Sequence, residues 1–336
     1  MFSRRNVLIG LAAFSLIGAV SGYVISEWSG DEEDAVSLAE DEILKRERAA
    51  IERLKERGCH AELRTDEWIE VAGVLLTLFP EHIDEKGHIV KEVFADLRYL
   101  RNCFLVLDKT PISNEGLADL KTLDNLLLLS LQQTPITDEG MGQIEGIISL
   151  RLLRLNWTAI SDHGLRHIDR LPDLVMLYLS GTRITDNAML HIVELKKLAA
   201  LQVSFTRISD KACASLPELP ELQFLGLDRT RVTDVGVAHL RNCKKLAYVN
   251  LTQTALTDKQ LVELRSEIPN CQVVRKVTLR HLQSVAGESK PAGKPKPATS
   301  PKLRGTFASP KEVISQRKPA AKPAVPANLN SPSTGK

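Results

Sequence analysis

A threonine recurs every 24 residues along the middle of this chain, and this spacing constrains the fold more than any other feature of the sequence. The series has seven members: Thr110, Thr134, Thr158, Thr182, Thr206, Thr230 and Thr254. Self-similarity at such a period is typical of repeat proteins, in which each small unit buries its apolar face only by stacking on its neighbours. The series therefore predicts one continuous solenoid.

Each repeat contains two apolar patterns separated by a helix-start signal. In the second repeat, Leu129 and Leu131 are two residues apart, which indicates a strand, while Met141, Ile144 and Ile147 are three apart, which indicates one face of a short helix. Between them, a hydroxyl residue followed by Asn or Asp matches a helix N-cap. These residues are Ser113, Thr137, Ser161, Thr185, Ser209, Thr233 and Thr257. The sequence predicts a strand, a turn and a helix in every repeat.

The second repeat also places Leu126, Leu129, Leu131, Thr134 and Ile136 in the order LxxLxLxxTxI. Seven such units, over residues 102–273, make the chain resemble the leucine-rich repeat proteins, specifically the bacterial type whose repeats read LxxLxLxxTxITDxGLxxLxxL. The resemblance implies an α/β solenoid, or horseshoe, with a parallel sheet on its concave face, helices on its convex face and a binding role without a named ligand. The ninth position, usually an inward Asn in such repeats, is here a Thr whose hydroxyl can also satisfy backbone groups.

The N-terminal 26 residues have the character of a membrane segment. Residues 6–26 contain no charge, and a helix of this length spans roughly 30 Å, the thickness of a bilayer core. Arg4 and Arg5 before the run and acidic residues after it predict a single-pass anchor with the rest of the chain outside the cytoplasm, in the periplasm or at the cell surface. The alternative is a cleaved export signal and a soluble exported protein, because Ala19-Val20-Ser21 has the form of a cleavage site and the residues around the arginines resemble the twin-arginine motif.

The segments on either side of the repeats differ in charge and apolar content. Residues 27–58 are predicted to form a charged juxtamembrane helix, or a dimerising stalk, and residues 59–101, which depart from the repeat pattern, an N-terminal cap. Residues 274–336 are predicted to be a terminal segment followed by a disordered tail, since residues 285–336 contain nine prolines and few apolar side chains. That tail has ten Lys and Arg against two acidic residues, which leaves the remainder of this +2 chain at about −6.

Nothing in the sequence matches a catalytic or metal-binding pattern. There is no Gly-rich phosphate loop, HExxH, GxSxG or CxxC motif, so we expect no catalytic residue, no metal, no cofactor and no enzymatic activity. His163 and His167 have a spacing that can chelate a metal, but His167, His191 and His239 occupy one equivalent helical position, which favours a solvated helix face. Cys213 and Cys243 replace core residues of other repeats and are interpreted as small buried hydrophobes.

The aromatic residues of the repeats, in a chain with only 4 % aromatics, are confined to one side of the predicted strands. In the pattern LxxLxLxx, positions 1, 4 and 6 point inward, and positions 3, 5, 7 and 8 face the concave surface or its rim. Phe104, Phe224 and Tyr248 are at position 3, Tyr178 is at position 5, and Trp157 and Phe205 are at position 8. The last five are predicted to form a patch about 20 Å long that captures a protein or peptide. Alternatively, these rings only shield the sheet of the solenoid.

Arginines accompany the aromatic residues. Arg183, Arg207 and Arg231 occupy position 10 of three consecutive repeats, and Arg154 and Arg229 lie nearby. They predict contact with an anionic group, unless the aspartates three residues after the first three arginines, Asp186, Asp210 and Asp234, neutralise them. The predicted partner-binding set is therefore Arg154, Trp157, Tyr178, Arg183, Phe205, Arg207, Phe224, Arg229, Arg231 and Tyr248.

These features favour a non-catalytic binding module, exported and tethered to the membrane through residues 6–26, that captures an unknown protein or peptide. The alternative is an envelope scaffold or spacer whose basic tail contacts anionic envelope polymers. Nucleic acid is not an expected partner, because little of it is present on the exported side.

Overall fold

A computed structural model describes residues 30–66 and 71–275 of the chain, with side chains from residue 41 onward. The predicted membrane segment at residues 6–26 and the predicted tail after residue 275 lie outside the described residues. Within the described ranges, no helix is both long enough and apolar enough to cross a membrane.

Ten strands form one sheet in which every strand pairs with the next along the chain. They are β1 (His60–Asp66), β2 (Val71–Thr77), β3 (Cys103–Val106), β4 (Leu126–Ser130), β5 (Leu152–Arg154), β6 (Met176–Tyr178), β7 (Ala200–Gln202), β8 (Phe224–Gly226), β9 (Tyr248–Asn250) and β10 (Gln272–Val274). Strand β1 is antiparallel to β2, and all other pairs are parallel. The strands from β4 to β10 pair at an offset of 24 residues, as in the pair Leu152 and Met176.

One long helix precedes the strands, and shorter helices connect most of the later ones. The α-helices are α1 (Gly30–Glu56), α2 (Lys91–Leu97), α3 (Asp138–Ile144), α4 (Asp162–Leu165), α5 (Met189–Ile192), α6 (Asp210–Ser215), α7 (Asp234–Val237) and α8 (Asp258–Glu267), and several connections also contain a 3₁₀ turn. The predicted α/β solenoid, with a sheet of parallel strands and helices, is confirmed.

The main core lies between the sheet and the helices. Positions 4 and 6 of each repeat, such as Leu153 and Leu155, point into it and are fully buried, together with helix residues such as Leu165. Cys213 and Cys243 also lie in this core, where burial raises the pKa of Cys213 to about 12 and keeps its thiol protonated.

The repeated threonine closes the turn after each strand. All seven side chains are buried, and each hydroxyl donates a hydrogen bond of 2.5 to 2.8 Å to the backbone carbonyl three residues earlier; Thr182, for example, donates to Leu179. A buried carbonyl needs a hydrogen-bond donor, and the turn itself supplies only a long one, such as the Thr182 N–H at 3.3 Å from the Leu179 carbonyl. The hydroxyl adds the short hydrogen bond to this acceptor. The predicted role of this threonine is confirmed.

The predicted N-cap residues join consecutive repeats as well as starting helices. In five consecutive repeats, the aspartate that begins the helical segment accepts two hydrogen bonds from the N-cap residue of the next repeat, one from its backbone N–H and one from its hydroxyl. The pairs are Ser161 with Asp138, Thr185 with Asp162, Ser209 with Asp186, Thr233 with Asp210, and Thr257 with Asp234, at 2.5 to 2.8 Å. The hydroxyls of Ser161, Thr185, Thr233 and Thr257 also accept from the first turn of their own helix.

The residues before the first repeat cover its open end. Strand β2 pairs in parallel with β3 and so extends the sheet, while Ala50 and Leu54 of α1 are buried in the main core. The buried carboxylate of Asp96 accepts hydrogen bonds from Arg53 and Arg57, each at 2.6 Å, which fixes α1 to α2.

We expect Thr182→Val to lower the free energy of unfolding by about 0.5 to 1.5 kcal/mol, because the variant keeps the shape of the side chain but leaves the Leu179 carbonyl with only the 3.3 Å hydrogen bond from the backbone N–H of residue 182. Urea denaturation followed by circular dichroism measures the change. Thr182→Ser is the matched control, since it retains the hydroxyl. Equal urea midpoints for the valine variant and the wild type would contradict the proposed role.

Candidate binding site

The face of the sheet opposite the helices, called here the open face, is formed by positions 3 and 5 of the repeats. Position 3 residues from five consecutive strands make a second apolar cluster: Phe104, Leu128, Leu152, Met176 and Ala200. Each is at most 5 % exposed, because the side chains of neighbouring strands and of the cap, including Val71 and Leu75, cover them. Position 3 side chains do point away from the main core, as expected. In these five strands, however, they are buried rather than exposed, and Phe104 is one of them.

Tyr178 and Phe224 pack against this cluster and are half buried, and Tyr248 continues it through its contact with Phe224. The rings of Phe224 and Tyr248 are stacked in parallel with centroids 4.5 Å apart, and the guanidinium of Arg154 lies 5.4 Å from the centroid of Tyr178. Burial raises the pKa of both tyrosines, so their hydroxyls stay neutral at physiological pH. These rings cover the sheet, as the shielding alternative proposes, and expose only part of their surface.

A left-handed residue follows every strand of the repeats. Position 8 has a positive φ of 54° to 70° in all seven: Lys109, Gln133, Trp157, Gly181, Phe205, Arg229 and Gln253. In six of them the backbone N–H binds the carbonyl of the next repeat, as Trp157 does to Ser180 at 2.7 Å. The contact between repeats therefore imposes a conformation that only glycine adopts without cost.

Two bulky aromatic residues occupy these strained positions and are the most exposed rings of the repeats. Trp157 is 48 % exposed and Phe205 is 38 % exposed, with ring centroids 5.3 Å apart. The ring of Trp157 lies across Gly181, where an added Cβ would come within 2.3 Å of it. The guanidinium of Arg229 lies 4.8 Å from the centroid of Phe205. We call Trp157, Gly181, Phe205 and Arg229 the rim cluster.

A polar network supports the rim cluster from below. Asp228, next to Arg229 in the chain, accepts hydrogen bonds from Ser204 and Asn250, and burial raises the pKa of its carboxyl group. On the other side, Asn156 accepts a hydrogen bond of 2.7 Å from the backbone N–H of Ser180. Asn156, Ser180, Ser204 and Asp228 are at position 7, and each directly precedes a member of the rim cluster at position 8. The hydrogen bonds at position 7 therefore hold the backbone that carries the rim cluster.

Arg183, Arg207 and Arg231 are all exposed, and we call them the arginine row. Within the described part of the chain, Asp186, Asp210 and Asp234, which the alternative assigned to neutralise these arginines within the repeat, form no ion pair with them. Each of those carboxylates is taken up by the N-cap residue of the next repeat, and no ion pair joins the arginine row to any described residue.

The histidines on the helical side do not form a metal-binding group in the described part of the chain. Nδ1 of His167 lies 2.6 Å from a carboxylate oxygen of Glu145, and this contact lowers the pKa of Glu145. Over residues 41–66 and 71–275, no group of three or more His, Cys, Asp or Glu side chains is arranged to hold a metal ion.

Sequence reasoning identified the members of the rim cluster except Gly181. It also treated five aromatic residues as one patch, whereas the structure brings together Trp157 with Phe205 and, separately, Phe224 with Tyr248. A glycine at position 8, where every other repeat has a side chain, was the available signal for the space that the Trp157 ring fills.

No protein-family model matches the chain, and no curated protein matches it. Among solved structures, the chain is similar to internalin C2 of Listeria monocytogenes, with 23 % identity, a TM-score of 0.47 and coverage of 61 % of this chain and 80 % of that one. It is also similar to internalin F of the same organism, with 17 % identity, a TM-score of 0.45 and coverage of 62 % and 60 %. A leucine-rich repeat protein of Leptospira interrogans shows 21 % identity, a TM-score of 0.39 and coverage of 56 % and 51 %. These likenesses concern the fold alone.

We expect Gly181→Ala to displace the Trp157 ring and to lower stability by about 1 kcal/mol or more, because the new methyl group overlaps the ring and the residue has a φ of 70°. Near-ultraviolet circular dichroism reports the ring, and urea denaturation reports the stability. Gly142→Ala on α3 is the control, since its nearest neighbour outside its own helix lies 3.7 Å from the added Cβ. An unchanged spectrum and urea midpoint for Gly181→Ala would contradict the described packing.

Proposed function

We propose that this protein is a non-catalytic binding module that captures a protein or peptide partner on the open face of its sheet and along the rim cluster. The observation that carries the proposal is the pair of exposed aromatic side chains, Trp157 and Phe205, placed side by side on strained backbone positions beside Arg229. Trp, Tyr and Arg are the residue types that most often anchor protein interfaces.

The strain at the rim cluster supports a role in binding rather than in folding. A bulky residue at a positive φ costs of order 1 to 3 kcal/mol, and other side chains fill the same position in other repeats. Burial does not repay this cost at Trp157, because about half of its surface remains exposed. Retaining two such aromatic residues next to each other is explained if a partner covers them. Arg154, Tyr178, Phe224 and Tyr248 then form the half-buried floor beside this contact.

The proposal places the module outside the cytoplasm, tethered through residues 6–26 as a single-pass anchor, or released as a soluble exported protein if that segment is a cleaved signal. The support is the charge-free run itself, with two arginines before it and acidic residues after it.

We expect a protease added to intact spheroplasts to digest the residues after 285. Protection of the tail under these conditions would reverse the predicted orientation. The intact mass of the isolated protein distinguishes a retained anchor from cleavage after Ser21, because cleavage removes a fixed N-terminal fragment.

A second candidate function is an envelope scaffold in which the basic tail makes the essential contact with anionic envelope polymers. The excess of eight positive charges in residues 285–336 favours it. In that case, deleting the tail abolishes envelope retention while changes at the rim cluster have no effect.

We expect the double variant Trp157→Ala with Phe205→Ala to fold normally and to weaken partner binding by more than about 2 kcal/mol, the usual scale of interface anchors. Quantitative capture from an envelope extract identifies the proteins that the wild type retains and the variant loses, and calorimetry then measures their affinity. Tyr178 is left intact because it is half buried beneath Arg154.

Leu179→Ala is the stability control for this experiment. It removes a fully buried side chain of the main core and should cost about 2 to 5 kcal/mol in unfolding free energy. If the aromatic double variant unfolds as early as this control, the rings serve the fold, and the binding proposal is wrong. If the double variant folds and captures every protein that the wild type captures, the proposal is equally wrong.

A further inference from the structure

The arginine row places three positive charges side by side on the surface of the solenoid. The backbone N–H groups of Arg183, Arg207 and Arg231 bind carbonyls of the preceding repeat at 2.8 to 3.2 Å, so these segments stack in register. Parallel chain segments in a sheet lie about 4.8 Å apart, and like charges at such a spacing repel each other. The row is therefore an arrangement that an anionic partner would stabilise.

The aspartates three residues after these arginines do not supply that partner. Asp186, Asp210 and Asp234 each use both carboxylate oxygens for the N-cap residue of the next repeat. They reduce the net charge of the region, but they form no ion pair with the arginines. The three guanidinium groups thus keep their hydrogen-bond donors directed to solvent or to a bound molecule, within the part of the chain that the structure describes.

The arginine row runs beside the rim cluster. In three consecutive repeats, a single buried threonine separates a rim residue from an arginine: Gly181 from Arg183, Phe205 from Arg207, and Arg229 from Arg231. Because the intervening threonine points into the turn, its two neighbours lie at the surface. The surface formed by the turns after β6, β7 and β8 therefore carries four arginines and Phe205, and the Trp157 ring reaches this surface across Gly181.

We propose that this surface binds an acidic segment of a protein partner, with carboxylates on the arginine row and an apolar side chain against Trp157 and Phe205. This inference rests on the proposed function and specifies the chemistry of the partner. Arginine matches carboxylates in geometry as well as in charge, since its planar fork donates two parallel hydrogen bonds. Carboxylates spaced about 5 to 7 Å apart, as on one face of a helix or on alternate residues of a strand, fit the row.

Charge and ring geometry select this occupant over two others. The basic tail of the same chain, with ten Lys and Arg against two acidic residues, has the same sign of charge as the four arginines, so charge complementarity does not favour it as the occupant. Single-stranded nucleic acid stacks its bases on open aromatic faces. Here Trp157 has Gly181 against one part of its ring, and Phe205 lies between Trp157 and the Arg229 guanidinium, so the two rings are not a series of free stacking platforms.

A phage library of random dodecapeptides, selected on the full-length protein, tests the inference without knowledge of the natural partner. We expect the enriched peptides to be rich in Asp and Glu and to contain a large apolar residue. Neutral or basic consensus sequences, or no enrichment, would overturn it. Tighter binding of a twenty-nucleotide oligothymidylate or of polygalacturonate than of any selected peptide would also overturn it, in favour of nucleic acid or an anionic glycan.

The triple variant Arg183→Gln, Arg207→Gln and Arg231→Gln then locates the contact. We expect this variant to bind the best acidic peptide with an affinity lower by about tenfold or more at 50 mM salt. The loss should be smaller at 500 mM salt, where exposed charges are screened. The matched control is Arg166→Gln, Arg170→Gln and Arg241→Gln, which removes the same charge from exposed positions on the helical side. Equal losses in both variants would mean a nonspecific charge effect and would overturn the proposed site.

The inference and the proposed function fail in distinguishable ways. If the natural partner is lost with the aromatic double variant but retained with the arginine triple variant, the binding module stands and the acidic specificity is wrong. If neither variant affects capture of the natural partner, both are wrong.

Discussion

Hydrogen bonds between corresponding places of consecutive repeats are the interaction on which this structure depends. They occur at three levels: between the paired strands, at the left-handed residue after each strand, and between the aspartate of one helix start and the N-cap residue of the next. Each level requires the same spacing along the chain. The apolar core supplies most of the stability, as in other solenoids, but these bonds determine which residues face each other and therefore which side chains meet on the surface.

The repeat architecture was predictable because its signals are local. The strand pattern, the turn threonine and the hydroxyl at the helix start each determine the conformation of a few neighbouring residues, and seven copies reinforce the interpretation. The burial of Leu128, Leu152 and Met176 was not predictable in this way, since it depends on covering side chains from other strands and from the cap. The partner of Asp186 was missed for the same reason, because the residue that binds it lies 23 positions further along the chain.

The sequence predicted the position of most candidate-site residues but not the contacts between them. Position in the repeat correctly assigned Trp157 and Phe205 to the rim, but not their contact across Gly181, which requires a ring to span one complete repeat. The sequence also showed no sign of their left-handed backbone, since Gly181 is the only one of the seven equivalent residues that is a glycine, the residue type expected at a positive φ. The conformation comes from the neighbouring repeat rather than from the residue itself, so propensity does not reveal it.

At five consecutive helix starts, from Ser161 to Thr257, the hydroxyl donates to the aspartate of the repeat before it, and at four of these it also accepts from its own helix. Over this part of the array, each repeat therefore offers the next repeat the same carboxylate acceptor. A duplicated block of 24 residues would join at both ends without any new contact, whereas an insertion of another length would misalign the strand side or the helix side unless it looped out entirely. The gene for such a protein can therefore lengthen or shorten by whole units, and the open face and its rim change in extent by one residue per position of the repeat.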